Sequence, residues 1–285
     1  MQVLLSLLFI VVSLFGGFMG AGGNIANLWQ PFEIIMLLGS GVGFFIATNT
    51  GKSMKQFGKY IKYLFKAPYT EAKFQRIIGL MFQLHALYKK DKFLVSEAVS
   101  DPSSSPIFAK YPEILADEDA KKFICNNLNL LIDSGSTISP FTFEDMLDAE
   151  IDAYRKEWVA PYKMATALVD TFPALGIAVA VLGISLALQY LDAGMDKLGA
   201  KISAALFGTF LGIFVAYGVF KPIAVKFGKF AEEGDLFLGV IKTYIMCMIK
   251  NYDPLTAAAV TNKDVPPRYK LDTATLREKL QNDQL

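Results

Sequence analysis

Titratable and nucleophilic side chains are scarce in this sequence. Among its 285 residues there are one histidine, His85, and two cysteines, Cys125 and Cys247. A single histidine argues against a histidine metal cluster and a Ser-His-Asp triad, and the absence of a CxxC pair argues against a zinc site or a disulfide framework. We therefore interpret both thiols as buried and reduced, and we expect no enzyme, no metal and no cofactor.

Charge is balanced overall but is missing from long parts of the chain. Lys and Arg total 28 against 27 Asp and Glu, so no basic surface indicates a nucleic-acid partner. Residues 1–32 carry no charge, and the first lysine is Lys52. A cleaved signal peptide begins with a positive segment, so we interpret this apolar start as a retained membrane helix. With 53% hydrophobic residues and a mean hydropathy of +0.36, the chain is predicted to be an all-α, polytopic membrane protein.

Four uncharged stretches approach the roughly 20 residues that cross a bilayer. They are residues 3–19, 34–48, 171–191 and 202–220. Small residues at helical spacing let membrane helices approach one another, or a third helix, closely. Such rows consist of Gly39 and Gly43 in the second stretch, Pro173, Gly176, Ala180 and Gly183 in the third, and Ala205, Thr209, Gly212 and Ala216 in the fourth.

Lysines cluster directly after the second apolar stretch. They are Lys52, Lys55, Lys59, Lys62 and Lys66. The positive-inside rule places this side of the membrane in the cytoplasm, and both termini with it. Residues 51–66 also show helical apolar spacing, which predicts a basic amphipathic helix. That helix lies either on membrane lipid or against the protein's own cytoplasmic domain.

The alternation of apolar and charged segments predicts four regions. Residues 1–50 form transmembrane helices 1 and 2, 51–168 a helical cytoplasmic loop, 169–224 transmembrane helices 3 and 4, and 225–285 a cytoplasmic C-terminal helix and tail. Helical spacing predicts further helices over 70–90, 116–132, 143–159, 224–250 and 273–281. Turn residues predict loops at 101–106, 253–254 and 266–267, and we interpret the carboxylates of 144–152 as a solvated helix face.

No Lys, Arg, His, Asp or Glu lies near the centre of any of the four stretches. A proton or ion relay normally needs a titratable or liganding group at that depth. A channel built on these helices therefore needs a carboxylate from another chain, and the small-residue rows are interpreted as the surface that receives its helix. Thr209 is the clearly polar side chain on these rows. Its hydroxyl either coordinates an ion or water, or bonds its own helix backbone.

Several motifs resemble the MotA family of flagellar stator subunits, within the MotA/TolQ/ExbB proton channel superfamily. They are ALFGTFLGI at 205–213 followed by Pro222, DTFPALGI at 170–177, the paired glycines at 16–17 and 22–23 with WQP at 29–31, and IFAKYP at 107–112. The resemblance covers nearly the whole chain in one order. It implies an inner-membrane protein that forms a pentamer around a dimer of MotB, whose single transmembrane helix carries the proton-binding aspartate.

The resemblance also implies roles for individual residues of the ion path. Asp170 matches an acidic residue at the cytoplasmic mouth, Pro173 and Pro222 border the path, and Tyr217 lies near the channel. Ala180 stands where sodium-driven relatives tend to carry threonine. This favours H⁺ as the coupling ion, although Thr209 leaves sodium open.

In the resembled family, charged loop residues meet charges on the rotor protein FliG and produce torque. Residues 88–100 match that region, with Lys90 and its neighbour Lys89 as the basic residues and Glu97 as the acidic one, in an ambiguous register. A merely solvated helix end is the alternative for this region. For the whole chain the alternatives are an ExbB/TolQ-like subunit that energises outer-membrane processes, usually with three spans, and a non-conducting membrane scaffold.

Overall fold

The computed structural model describes residues 2–134, 137–282 and 285, and this part of the chain contains helices and turns but no strand. The all-α prediction is confirmed. The chain divides into two compact units. The first consists of Met1–Ala67 and Val159–Lys229, and the second of Pro68–Trp158 and Phe230–Leu285.

The helices are numbered in chain order. They are α1 Gln2–Gly20, α2 Pro31–Thr48, α3 Gly51–Tyr63, α4 Glu71–Lys90, α5 Lys92–Ser100, α6 Pro106–Ala109, α7 Pro112–Leu115, α8 Glu118–Ser134, α9 Pro140–Trp158, α10 Ala160–Leu188, α11 Met195–Ile213, α12 Lys221–Ile249, α13 Pro254–Asp264 and α14 Thr273–Gln281. Short 3₁₀ turns cover Ile25–Leu28 and Leu191–Ala193, and Phe214–Phe220 is π-helical.

Three helical segments of the described chain are long and apolar enough to cross a membrane. They lie within Pro31–Thr48, Pro140–Leu188 and Met195–Ile249, and Leu5–Gly20 is a shorter apolar helix. These segments coincide with the four predicted stretches, but the count of four spans stays a prediction because the first is short.

The small-residue rows of α10 and α11 face each other within the first unit. A Cβ built on Gly212 would lie 2.7 Å from the carbonyl oxygen of Phe172 and 2.9 Å from the Cα of Gly176. One built on Gly183 would lie 2.7 Å from the Cβ of Ala205. Backbones this close leave no room for larger side chains. Gly176, Gly183, Ala205 and Gly212 therefore form the contact between α10 and α11, so the interpretation that these four receive a third helix is wrong.

Helix α2 joins this pair through a glycine that the sequence pattern did not single out. A Cβ on Gly41 would lie 2.5 Å from the ring of Phe172, whereas none of the described atoms would lie within 4 Å of a Cβ on Gly39 or Gly43. The predicted pair is therefore not the packing contact. The ring of Phe172, on α10, lies against α2 at Gly41, where the glycine has no side chain.

The basic segment after α2 forms the predicted amphipathic helix. Thr50 caps α3 by accepting a hydrogen bond from the amide of Ser53 at 3.3 Å. The ring of Phe57, on its apolar face, lies 5.1 Å from that of Phe45 and 5.4 Å from that of Phe227. Helix α3 therefore packs on α2 and on the beginning of α12, within the unit that holds the apolar helices. Its exposed face carries Lys52, Lys55, Lys59 and Lys62.

In the second unit, one helix begins where the sequence predicted a loop. The side chain of Asp253 accepts a hydrogen bond from the amide of Thr256 at 3.0 Å, and Pro254 occupies the first position of α13. Asp caps helices and proline suits their first turn, where its missing N–H costs nothing. The Asp-Pro pair therefore starts a helix. For the same reason Pro161 lies in the first turn of α10, which begins well before the predicted residue 171.

The carboxylates of α9 lie on a mostly exposed face, as predicted, and some of them are ion-paired there. Lys242 donates hydrogen bonds to both carboxylate oxygens of Asp148 at 2.7 Å and lies 3.3 Å from Glu144. Arg155 binds Asp235 through two hydrogen bonds of 2.8 and 3.0 Å. These pairs join α9 to the second half of α12.

His85 is buried in the second unit. Neither ring nitrogen has a hydrogen-bond partner among the described residues, and its ring meets the ring of Tyr244 edge-on at 5.8 Å. Burial, together with the charge of Lys89, lowers the pKa of His85 to about 4, although Asp253 opposes this shift. The imidazole is therefore neutral at neutral pH, and it is structural.

Replacing Gly212 with alanine should destabilise the protein, because the added Cβ would overlap the backbone of α10. Overpacking of this kind costs about 1–3 kcal/mol. Thermal unfolding of the purified protein measures the effect. Gly39→Ala is the matched control, since its Cβ would be unobstructed and alanine favours helix. Equal melting temperatures for the two variants would contradict the proposed role of Gly212.

The stability of the protein should fall as the pH drops below 6.5, because the unfolded His85 binds a proton that the folded one rejects. The folded pKa of about 4 implies a loss of about 2 kcal/mol by pH 5. His85→Phe keeps an aromatic ring beside Tyr244 and removes the titration. Its melting temperature should therefore fall less between pH 7 and pH 5 than that of the wild type. Parallel curves for the two proteins would refute the assignment.

Candidate functional site

The fourth apolar segment changes its winding just before Pro222. Helix α11 ends at Ile213, Phe214–Phe220 is π-helical, and α12 begins at Lys221. A proline inside a helix has no N–H for the carbonyl four residues earlier and clashes with it, and a wider π turn relieves this clash. The chain stays helical through Pro222, and the predicted helix over 224–250 continues directly from the fourth segment.

Pro173 interrupts the hydrogen-bond ladder of α10 in a comparable way. It lies inside the helix and is half-buried. Two residues earlier the hydroxyl of Thr171 donates to the carbonyl of Ala167 at 2.7 Å, a side-chain bond that often accompanies a helix bend. The carboxylate of Asp170 is exposed beside this turn. Helix α10 nevertheless stays α-helical through Pro173, whereas a π-helix precedes Pro222.

An aromatic pair connects the two proline-bearing segments. The rings of Phe172 and Phe220 stack with their centroids 5.4 Å apart and their planes 13° apart. Phe172 directly precedes Pro173, and Phe220 lies two residues before Pro222. A change in either helix at its proline therefore acts on the same stack. Sequence reasoning missed this pair.

The structure divides the predicted ion-path residues between two faces. Ala180 is 7% exposed and lies on the contact between α10 and α11, so it presents no open surface within one chain. Tyr217 is exposed and Thr209 is half-buried. They share a side of the fourth segment with exposed apolar residues, namely Ile202, Leu206 and Ile213. Gly212, in the small-residue row of α11, is in contrast buried against α10.

The predicted rotor-contact residues lie at one end of the second unit, where α4 is followed by α5. Lys90 is the last residue of α4 and is exposed. Lys89 donates a hydrogen bond to the side chain of Asn251. The side chain of Asp91 accepts from the amide of Phe93 at 2.9 Å and begins α5, which carries the exposed Glu97. The structure thus brings charges of both signs to one surface.

Apolar groups accompany these charges and were not predicted. Phe93 is 83% exposed and Leu94 is 46% exposed. Beside them lies a cavity of about 460 Å³, whose lining includes Leu94, Glu97 and Ser105. The buried hydroxyl of Ser105 has no hydrogen-bond partner in the described part of the chain. Exposed aromatic surface flanked by charge is typical of protein-binding sites.

The fold is similar to that of solved flagellar stator complexes. A chain of the flagellar MotAB stator complex from Bacillus subtilis matches with a TM-score of 0.74 and 21% identity, over 94% of this chain and 98% of that one. A chain of C. jejuni MotAB matches with a TM-score of 0.74 and 19% identity, over 93% and 96%. The likeness at these identities shows a common fold.

Sequence relatives are more similar. Motility protein A of Escherichia coli (strain K12) is 34% identical over 265 residues, which cover 92% of this chain and 89% of the relative. Chemotaxis protein LafT of Vibrio parahaemolyticus is 33% identical over 270 residues, covering 93% of each. The model of the motility protein A N-terminal region matches residues 4–92, and that of the MotA/TolQ/ExbB proton channel family matches residues 116–234. This inner-membrane chain therefore belongs to the motility protein A (MotA) family, within the MotA/TolQ/ExbB proton channel family.

Proposed function

We propose that this chain is the ion-conducting subunit of a flagellar motor stator and couples proton flow to torque on the rotor protein FliG. The observation that carries the proposal is the glycine-to-glycine packing of α10 on α11, in two apolar stretches, 171–191 and 202–220, that contain no titratable Lys, Arg, His, Asp or Glu. A proton relay needs a carboxylate at depth. A MotB-like partner with one span supplies it, and the chain acts as a channel subunit and not as an enzyme.

The proposed topology has four spans, with α1 as the first. Helix α3 exposes four lysines immediately after α2, which supports a cytoplasmic position for the second unit and both termini. A pentamer of this subunit surrounds two copies of the partner. The motility-protein match over residues 4–92 favours this arrangement over an ExbB/TolQ-like subunit and over a scaffold that conducts nothing.

We place the partner's helix along the exposed row of the fourth segment. Leu206 and Ile213 provide apolar contact there, Thr209 lies between them, and Tyr217 lies at the end near Pro222. Protonation of the partner's carboxylate then changes the contact on this row. Because the π-helix and Pro222 lead directly into α12, a change of winding at this point acts on a helix that supplies residues to both units.

The proposed rotor contact combines charge with apolar surface. Lys90 and Glu97 are exposed at the α4–α5 end, and Phe93 between them is 83% exposed. Lys89 is anchored to Asn251, so Lys90 is better placed to approach a partner. Complementary charges at such a surface steer encounters and set specificity more than they add affinity.

Purification of the full chain from membranes should recover a single-span protein that carries an aspartate within its span. Such a partner supplies the carboxylate that α10 and α11 lack. Affinity purification with peptide identification measures this recovery.

Deletion of the gene should abolish swimming and leave filaments intact. Normal swimming in a strain without a second stator system would contradict the proposal.

Lys90→Glu should reduce swimming under viscous load by more than half, because it reverses the charge offered to the rotor. Stator assembly should be unchanged, since Lys90 is exposed. Speed of tethered cells and the membrane level of the protein are the measurements. Lys122→Glu, at an exposed position on α8, is the control. Equal torque in both variants would favour a merely solvated helix end.

Motor speed should not depend on external sodium at a fixed proton-motive force. Ala180 offers no oxygen ligand, and it is buried against the neighbouring helix. Bead-rotation speed across a range of sodium concentrations measures the dependence. A steep rise with sodium would overturn the proton assignment and would point to Thr209 as an ion ligand.

A further inference from the structure

An apolar pocket of about 310 Å³ lies in the first unit, among α2, α3, α10 and the π-helix. Hydrocarbon side chains form its walls, including Leu38, Val42, Phe45, Phe57, Phe172 and Phe220. Small-ligand pockets have volumes of about 300–1,000 Å³. No ionisable or amide side chain lines it in the described structure, so a polar occupant would lose its hydrogen bonds there.

The mouth of the pocket opens on the outer surface of α2. Leu38 and Val42, one helical turn apart, are 41% and 58% exposed. A helix with its side chains is about 10–12 Å across, so even one turn of it would not fit within a pocket of about 310 Å³. A single flexible hydrocarbon chain fits this shape. In an inner-membrane protein, the acyl chains of phospholipids are the hydrocarbon that surrounds such a mouth.

Lysines are frequent in the chain segments next to the lining residues Phe57 and Phe220. Lys221 directly follows the lining residue Phe220, and Lys55 lies on α3 two residues before the lining residue Phe57. Both lysines are exposed. The two neighbouring segments, 51–67 and 221–229, contain eight lysines and no Asp or Glu. Basic segments of this kind attract anionic lipid headgroups.

We propose that this pocket binds one acyl chain of an anionic phospholipid, whose phosphate lies among the lysines of residues 51–67 and 221–229, which include Lys55 and Lys221. The bound chain contacts the outer sides of Phe172 and Phe220, the stacked pair beside Pro173 and Pro222. Lipid occupancy then supports the alignment of the two proline-bearing helices. The pocket is a property of the single chain, so the inference does not depend on which partner supplies the carboxylate.

Native mass spectrometry of the full chain, purified with its co-purifying partner, tests the site. Wild type should retain about one phosphatidylglycerol per copy after delipidation. Val42→Trp fills the mouth and should lower retention at least tenfold. Ile35→Trp, on the same helix and 66% exposed but outside the pocket, should retain lipid as the wild type does. No retained lipid in the wild type, or equal retention by Val42→Trp, would overturn the proposal.

Photolabelling of the wild type keeps the test independent of how the variants fold. Phosphatidylglycerol with a diazirine near the end of one acyl chain should label Phe45, Phe172 or Phe220. Labels confined to α1 and the outer face of α2 would refute the site. A cross-link from Val42→Cys to another protein chain would also refute it, because a protein side chain would then fill the pocket.

The headgroup assignment has its own test. Lys55→Gln combined with Lys221→Gln should reduce the preference for phosphatidylglycerol over phosphatidylcholine several-fold and leave acyl-chain labelling in place. The control is Lys122→Gln, which lies in the second unit. An unchanged lipid preference would show that these lysines do not hold the phosphate. None of these outcomes requires a working motor, so they are separable from the motility experiments.

Discussion

The close approach of α10 and α11 is the contact on which the rest of the first unit depends. Between membrane helices there is no hydrophobic driving force, and packing at short distance has to replace it. Gly176 and Gly212 allow this distance because a Cβ on either one would meet the backbone of the other helix at 3.1 Å or less. With the two backbones held together, Phe172 and Phe220 come to stack. The same stack closes the notch at Gly41 and anchors α2.

This arrangement brings together two helical turns that each precede a proline. Proline removes a backbone hydrogen bond in each helix, and the π-helix before Pro222 widens one of them. Such a turn differs from a regular helical turn by only a few backbone hydrogen bonds. Its backbone conformation therefore changes more readily than the packed glycine contact beside it. The rigid contact and the adjustable turns thus lie on the same two helices. This is what a device that converts a local protonation into a helix movement requires.

Local signals in the sequence predicted most of the helices. Thr70 caps α4 by accepting a hydrogen bond from the amide of Lys73, and α14 spans the predicted residues 273–281. Helix α13 was missed because an Asp-Pro pair suits a turn as well as a helix start. The sequence did not reveal that Lys242 pairs with Asp148, because that contact depends on how distant helices pack.

The sequence predicted which residues belong to the candidate site, but it did not predict which neighbouring helix each of them contacts. A row of small residues shows that something approaches closely, and it does not show what. The structure assigns the glycines of that row to the contact between α10 and α11, and the neighbouring row with Tyr217 is exposed. The stack of Phe172 and Phe220 was beyond prediction for the same reason. Its geometry depends on the register of α10 against the π-helix, and no local pattern encodes that register.

The proposed ion path and the proposed rotor contact need opposite electrostatic environments, and the chain provides both. Within the membrane-spanning segments a charge is costly, and the helices avoid it, so the titrating group comes from a partner. At the α4–α5 end Lys90 and Glu97 lie in water, where an ion pair contributes about 0–1 kcal/mol. A rotor contact must form and break at every step, so weak charge pairs suit it better than buried ones. The exposed ring of Phe93 adds apolar area without making the contact permanent.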